Sequence, residues 1–237
     1  MQRIRNIPWS RVLAEGAIIV VSILLAFAID AWWDSRKDRH EEREILLGLR
    51  IEFVDLRERL DRWGEANRTG MRFIEKYLSD AISEMDLGAV ETTFAYAIVV
   101  NVLDQGGAVD ALLASGRLEK VGDMDIRGRL VKWPDWLEDI HTNDLSARSY
   151  AMHQIAPYLA KQGFPRTVCP GDQFIICSGS EAAPDEYIRL AEDAEFRAIL
   201  INRRGWMRSI ARDHERARDE ADAILDLIEA RLEALKD

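Results

Sequence analysis

An apolar run near the N-terminus constrains this chain more than any other part of its sequence. From Ala17 to Ile29 every residue is apolar except Ser22. A helix needs about 20 mostly apolar residues to cross the hydrocarbon layer of a membrane. The segment Val12–Trp33 has that length, provided that Glu15 and Asp30 lie near the two interfaces, where a charge does not bear the full penalty of burial in lipid. We therefore predict a transmembrane helix at Val12–Trp33.

The flanks of this run favour a span over a cleaved signal peptide. Trp9 and the pair Trp32-Trp33 bracket it, at the depth where amphipathic rings prefer to lie. A signal peptide is the alternative, because arginines precede the run and Ala26-Phe27-Ala28 has the small-x-small form of a cleavage site. However, no polar segment precedes that site, and the helical pattern continues through Trp33 without a break. In either case the rest of the chain is exported.

The charges beside the span give only a small bias in orientation. The tail over residues 1–11 carries three arginines and no acid, whereas Asp34–Glu44 carries four basic residues among five acids. Orientation follows lysine and arginine and largely ignores acids. The two flanks are therefore nearly balanced, although the acid-free tail favours a cytoplasmic N-terminus.

The two cysteines of the chain add to this bias. Cys169 and Cys177 enclose the short segment CPGDQFIIC, which carries turn residues at one end. Two thiols so close in sequence are typical of a disulfide-stapled hairpin, which persists only in an oxidising compartment. A pair of reduced, partly buried cysteines is the alternative. We predict a Cys169–Cys177 disulfide and a single-pass protein of the bacterial cytoplasmic membrane, with residues 1–11 in the cytoplasm and the bulk in the periplasm.

The size and charge of the chain limit the partners of the exported part. Its 237 residues leave room for one sizeable domain beyond the span. Its formal net charge of −10 argues against binding to nucleic acid and against docking on anionic lipid. The predicted partners are therefore the bilayer itself and another protein, either a second copy or a membrane protein.

The span is predicted to continue without interruption into a juxtamembrane helix over residues 34–66. Within this helix an apolar seam has 3-4-3-4-3 spacing: Leu46, Leu49, Phe53, Leu56, Leu60 and Trp63. Such a seam pairs two parallel helices in a coiled coil, in which Glu52 would face Arg57 of the other copy. The seam covers only about two and a half heptads, however, and one helix of an intramolecular bundle explains it equally well.

Residues 67–237 are predicted to form a helical exterior domain, which gives an all-α fold with about six to eight helices in the bundle. The expected elements are a helix at Thr69–Ser83, one capped by Thr92 or Thr93, one at Val109–Ser115 ended by Gly116, one opened by Asp123 or Asp125, a kink or new start at Pro134, one from Asn143 or Asp144 to Lys161, a start near Pro184, and Trp206–Leu235. Phe164–Gly179 is the exception. With its two cysteines it predicts a small disulfide-stapled hairpin or loop.

The opening of the chain resembles that of an uncharacterised family of short single-span bacterial envelope proteins. In that family an apolar helix ends in an acidic or amide residue followed by Trp, and a charged helix comes next. Here these parts are Ile23–Ala26, Asp30–Trp33 and Arg36–Glu44, and Leu113–Leu118 followed by Asp125–Leu130 is similar to a later small-residue segment and helix. The resemblance covers the chain to about residue 140. It implies a single-span anchor and a helical exterior domain, and it supplies no catalytic residues and no cysteine hairpin.

Residues that could support chemistry are scattered along the chain. None of the motifs HExxH, CxxC, GxSxG, GxGxxG or the P-loop occurs. Asp139, His141 and Asp144 are spaced closely enough to ligate a metal ion, although a polar helix junction readily yields such a trio. Gly106-Gly107 could offer backbone amides to an anion, but without a following lysine and hydroxyl residue a turn explains it better. We therefore predict no metal, cofactor-binding or catalytic residue.

Two helix faces could bind a partner. Four arginines recur every fourth residue and share a face that the chain's own acids would ordinarily neutralise: Arg204, Arg208, Arg212 and Arg216. Small and polar residues of the span fall within one narrow stripe: Glu15, Ile19, Ser22, Ala26, Asp30 and Trp33. Because small residues let helices approach closely in lipid, we predict that Ser22, Ala26 and Asp30 mediate self-association. The alternative is that they face lipid.

Three classes of function are compatible with this sequence. The first is a membrane-anchored interaction or scaffold protein without catalysis. The second is a sensory ectodomain that binds a small ligand between its helices and signals through a membrane partner. The third is an enzyme whose site has no recognisable motif. We favour the first, and we predict no enzymatic activity.

Overall fold

The structure is a computed structural model. It describes residues 9–79, 82, 84–104, 107–163, 166–168, 176–178 and 184–236. The helices are α1 (Trp9–Tyr77), α2 (Leu87–Ile98), α3 (Ala108–Ala114), α4 (Met124–Tyr150), α5 (Ala156–Lys161), α6 (Pro184–Glu192) and α7 (Ala194–Ala234). A 3-10 turn lies at Arg117–Lys120, a π-helical turn at Ala151–Ile155, and two strands at β1 (Arg166–Val168) and β2 (Ile176–Ser178). The predicted all-helical architecture is therefore confirmed, apart from one two-stranded hairpin.

The helix α1 is longer than predicted. It runs for 69 residues through the predicted span and the juxtamembrane helix without a break at residue 66. The separate helix predicted at Thr69–Ser83 is wrong, because its first part continues α1 to Tyr77. Gly70 lies inside this continuous helix and allows other helices to approach: a Cβ there would lie 2.9 Å from Met207 Cε and 3.0 Å from Tyr96 Cβ.

The bundle is built from α1, α4 and α7. Ion pairs along the length of α1 join it to α7, and the residue number falls along α7 as it rises along α1; among them are Arg50–Glu229, Arg57–Asp222 and Glu75–Arg204. The two helices are therefore antiparallel. At the other side of α7, Arg129 of α4 pairs with Glu220, and Asn143 donates to Asp213. Since these contacts also descend along α7, α4 runs in the same direction as α1.

The apolar seam of α1 is buried inside the chain. Leu46, Leu49, Phe53, Leu56 and Leu60 form one core with side chains of α4 and α7. The rings of Phe53 and Trp133 lie 5.0 Å apart within it. The structure therefore shows the intramolecular alternative, and the seam is not available to a second copy. The expected Glu52–Arg57 pair is replaced as well, because Glu52 accepts from the Ala108 amide and Arg57 pairs with Asp222.

A second, aromatic core lies at the other end of the bundle. It joins the end of α1 to α2, α5, α6 and the start of α7. Tyr77 meets Phe94 edge to face at 5.4 Å, and the rings of Tyr158 and Phe196 stack at 5.2 Å. Such offset and edge contacts add to the burial of the rings. This core holds the end of the bundle farthest from the apolar segment of α1.

The residue predicted to cap α2 is wrong, and a nearby residue caps it instead. Asp86, not Thr92 or Thr93, caps α2, because its carboxylate accepts from the Ala89 amide at 2.7 Å. Both threonine hydroxyls donate to carbonyls one turn earlier inside the helix. Two other predictions are confirmed: Asp123 caps α4, and Gly116 ends α3 with a left-handed φ of 68°.

The helix α4 does not end where its polar residues suggested. It passes Pro134 and continues through Asn143 and Asp144 to Tyr150, so neither polar residue caps a new helix. Their side chains are engaged by distant partners instead. The following π-helical turn precedes Pro157 in the first turn of α5, and the Ala156 amide donates to Ala151, five residues back. A π-turn suits this position because proline cannot donate the next hydrogen bond of an α-helix.

The predicted hairpin is present in part. The strands β1 and β2 pair antiparallel, with Thr167 opposite Cys177. Cys169 lies outside the described residues. The predicted Cys169–Cys177 disulfide therefore stays a prediction. No disulfide is found in the part of the chain that the structure describes.

Candidate functional site

The apolar segment of α1 is covered by nothing in the chain. Every residue from Ala17 to His40 is exposed, and Ile18 and Phe27 keep 65% and 66% of their surface. By length and composition, α1 could cross a membrane, and none of its most apolar window is buried. A core helix of a soluble domain would be mostly buried. Since burial of such a side chain gains about 1.5–3 kcal/mol, this segment favours a surrounding other than water.

The polar groups near this segment are compatible with such a surrounding. The Ser22 hydroxyl donates to the Ile18 carbonyl at 2.8 Å, within its own helix, so it needs no external partner. At the other end, the Arg36 guanidinium lies 5.5 Å from the centre of the Trp32 ring. An aromatic and a cationic side chain thus lie together just where the apolar run ends. This combination is typical of a membrane–water interface.

The three predicted self-association residues lie on one side of α1. Ser22, Ala26 and Asp30 are all exposed. Counting about 100° per residue along the uninterrupted helix, they lie roughly opposite the face on which Glu42 and Phe53 enter the bundle. The stripe therefore points away from α4 and α7. A second helix could reach it without colliding with the bundle.

A different set of polar residues is buried between the two cores. Residues 99–104 connect α2 to α3 through this region, and two side chains of α4 hold the Leu103 backbone. Asp144 Oδ2 accepts from the Leu103 amide at 3.0 Å, and His141 Nδ1 donates to the Leu103 carbonyl at 2.6 Å. The carbonyl can only accept, which fixes the His141 tautomer. These bonds satisfy a buried backbone that belongs to no helix.

Arg203 of α7 serves the same connection from the other side. Its guanidinium donates to the carbonyls of Ala97 at 2.8 Å and Val99 at 3.0 Å, and more weakly to Tyr96. These carbonyls lie at the end of α2, where a cation also meets the negative end of the helix dipole. Burial lowers the pKa of Arg203 to about 10, and the charge of Asp144 opposes this shift. The side chain therefore remains protonated at neutral pH.

His214 completes this buried group. Its Nε2 atom lies 3.5 Å from Asp144 Oδ1, and both side chains are closed to solvent. Within the described structure neither ring nitrogen has a hydrogen-bond partner. The Trp63 ring lies 6.3 Å away on α1. Because Asp144, Arg203 and His214 are closed to solvent, this group fixes the connection 99–104 rather than offering a site to a substrate.

The metal trio considered from sequence does not converge. His141 and Asp144 both bind the Leu103 backbone, whereas Asp139 lines a groove on the outside of the bundle. Among the residues that the structure describes, no group of three His, Cys, Asp or Glu side chains could hold a metal ion. The three residues are thus close along the chain, but their side chains do not meet in the fold.

The two other polar candidates are also explained by contacts within the chain. Gly106 lies outside the described residues, but Gly107 precedes α3, and the Glu52 carboxylate occupies the place that an anion would take. Glu52 leaves no room for a side chain there, since a Cβ on Gly107 would collide with its Oε1 atom. Of the arginine row, Arg204 pairs with Glu75 at 3.5 Å and Arg216 lines the outer groove. The exposed Arg208, Arg212 and Arg216 leave the rest of the row as a solvated face.

The outer groove between α4 and α7 was not anticipated from the sequence. Two adjoining cavities of about 590 and 730 Å³ share Lys132 and Trp136. The Trp136 side chain is 39% exposed, and carboxylates and cations surround it. The available signal was a second Trp three residues after a core position, because residues i and i+3 lie on neighbouring parts of one helix face and Trp136 therefore reaches the edge of the core that Trp133 enters.

Comparisons of the chain with protein-family models, with curated proteins and with solved structures found no match.

Proposed function

We propose that this protein is anchored in a membrane by a single span at Val12–Trp33 and that its helical domain is a non-catalytic interaction or scaffold module outside the cytoplasm. The observation that carries the proposal is the apolar segment of α1 that the chain leaves uncovered. Hydrocarbon is the surrounding that suits about 20 apolar residues in one helix. The aromatic residues at its ends support the same assignment.

The continuity of α1 suggests a mechanical role for this anchor. At 1.5 Å per residue, the bundle would begin at Glu42, about 14 Å beyond Trp33, and α1 would end at Tyr77, about 66 Å beyond it. The domain would thus stand away from the bilayer on a rigid helix. A protein built in this way can present a binding surface at a fixed height, which is the task of a scaffold.

The compartment is proposed from the sequence. The acid-free tail with three arginines favours a cytoplasmic N-terminus, and two closely spaced cysteines favour an oxidising exterior. The resemblance of the first part of the chain to single-span bacterial envelope proteins agrees with both. We therefore assign the span to the bacterial cytoplasmic membrane and the domain to the periplasm.

The proposed partner within the membrane is a second copy or another membrane protein. Ser22, Ala26 and Asp30 would form the contact, and their position opposite the bundle leaves room for it. Interhelical polar contacts in membranes contribute only about 0.6–2 kcal/mol each, so such an association would be weak and reversible.

A sensory ectodomain is the second candidate. The groove around Trp136 favours it, because an aromatic side chain among convergent polar groups is typical of small-ligand sites. In the proposed topology residues 1–11 would lie in the cytoplasm. We propose that a sensor of this kind signals through a membrane partner.

A reporter fusion tests the proposed topology. An enzyme that is active only outside the cytoplasm is fused after Asp237, and the membranes are washed with alkaline carbonate. We expect an active reporter that stays with the membrane, whereas a matched chain beginning at Asp34 should yield an inactive, soluble fusion. Release of a fragment beginning at Ile29 would show a cleaved signal peptide, and an inactive full-length fusion would contradict the proposed orientation.

A further inference from the structure

One buried carboxylate marks the point where α1 enters the bundle. Glu42 is the first buried residue of α1 after the exposed stretch, with only 4% of its surface accessible. Carboxylates are rarely buried so completely unless they are paired. It lies at the end of the bundle nearest the apolar segment, so its partners show what holds α1 to the bundle at that end.

Three elements of the bundle meet at this carboxylate. Glu42 Oε1 accepts from Arg231 Nε at 2.9 Å, and Oε2 accepts from Nη2 at 2.8 Å. Oε1 also accepts from the Gly122 amide at 2.7 Å. Gly122 immediately precedes the cap of α4, and Arg231 lies in the last turn of α7. One side chain of α1 thus holds the start of α4 and the end of α7.

The atoms around Glu42 are closely packed. A Cβ on Gly122 would lie 2.7 Å from Arg231 Nη2 and 3.1 Å from Glu42 Oε1. The hydrogen bonds to Glu42 raise the pKa of Arg231 above its ordinary value, so the guanidinium remains charged. Bidentate arginine–carboxylate pairs also fix the relative orientation of their two elements.

The neighbouring ion pairs of α1 contribute less to holding α1 in the bundle. Arg117 pairs with Glu41 at 3.1 Å, and Lys120 pairs with Asp38 at 3.0 Å. Their side chains are more exposed, and exposed ion pairs contribute little. Breaking a buried pair by removing one partner is far more damaging. Glu42 therefore makes the principal polar contact of α1 with the other helices at the end of the bundle nearest the apolar segment.

We propose that Glu42, Gly122 and Arg231 form a joint through which a tilt or rotation of the membrane helix is passed to α4 and α7. The inference rests on the proposed membrane anchor. It deepens that proposal, because a domain that follows its span as one body can respond to a partner inside the bilayer. Without the joint, apolar packing and exposed ion pairs would hold the ends of α4 and α7 to α1, and neither fixes an orientation as a bidentate pair does.

Distance measurements on the full chain in lipid nanodiscs test the joint. Spin labels are attached through unnatural amino acids at Lys37 and Glu233, and in a second sample at Lys37 and Asp125; all three residues are exposed. The wild type should give one narrow distance distribution for each pair. E42Q and R231K should broaden both distributions about twofold, as expected when a local element opens while the rest stays folded.

The control is E44Q, which changes an exposed carboxylate two residues away on the same helix. It should leave both distributions as narrow as in the wild type. If E42Q fails to fold, as judged by circular dichroism, R231K decides, since it keeps the charge and loses only the bidentate geometry. Unchanged widths in the variants of the joint, or equal broadening in E44Q, would overturn the proposal.

The same samples separate this inference from the proposed function. A label at Leu24 should be accessible to oxygen dissolved in the lipid. Absence of lipid contact at Leu24 would contradict the membrane anchor, whereas broadened distributions would still report on the joint. Failure of the joint with lipid contact retained would leave the anchor intact.

Discussion

Arg203 shows how a single buried side chain can hold a connection that the sequence does not reveal. Its guanidinium binds carbonyls at the end of α2, about a hundred residues earlier in the chain. We expect R203M to destabilise the protein by about 2–4 kcal/mol, because the carbonyls lose their donor and remain buried. R208M, at an exposed position of the same helix, should change stability by less than about 0.5 kcal/mol. Urea unfolding followed by circular dichroism compares them, and equal stabilities of the two variants would contradict this role.

Glu65 gives a pH dependence with a defined sign. Hydrogen bonds from Arg72 and then Arg68 lower the pKa of its carboxyl from 4.5 to about 2. A lowered pKa in the folded state means that the contribution to stability is complete above pH 4.5 and is lost as the pH falls towards 2. The difference in Tm between the wild type and E65Q should therefore be constant above pH 4.5 and disappear near pH 2. E58Q, on the same helix, is the control, and a difference that grew on acidification would contradict the assignment.

At the scale of the helix, two glycines of α1 predict opposite effects. Nothing lies within 4 Å of a Cβ placed on Gly48, so G48A should stabilise the protein by up to about 1 kcal/mol through helix propensity. A Cβ on Gly70 would press on Tyr96 and Met207, so G70A should destabilise it by about 1–3 kcal/mol. Thermal unfolding of the two variants checks this contrast. A stabilised G70A would mean that α2 does not approach α1 this closely.

The predicted contact between the spans of two copies is also tested at the scale of one helix, α1. Single cysteines are placed at positions 19 to 29, with Cys169 and Cys177 replaced by serine, and are oxidised in native membranes. Dimer yield should peak at 19, 22 and 26, because these residues share the face that points away from the bundle. A flat profile would show that the span is a tether without a preferred partner.

Most helices and some of their ends were predictable from the sequence, whereas the ends and buried polar contacts that depend on distant partners were not. The apolar run, the seam from Leu46 to Leu60 and the cap at Asp123 each depend on neighbours within a few turns, which a local pattern records. Asp144 suggested a cap, but its carboxylate binds the distant Leu103 amide. The groove at Trp136 was missed for the same reason, since it exists only where α4 and α7 meet.

For the whole molecule, the central proposal is that α1 leaves the bilayer and carries the bundle as a rigid extension. Neutron reflectometry of the full chain in a supported bilayer measures the protein density along the membrane normal. On one side we expect a thin region of about 14 Å beyond the interface, then a broad density ending near 66 Å, as set by a rise of 1.5 Å per residue from Trp33 to Tyr77. A domain lying flat on the bilayer, within about 35 Å of its surface, or a bilayer without protein density in its core, would contradict the claim.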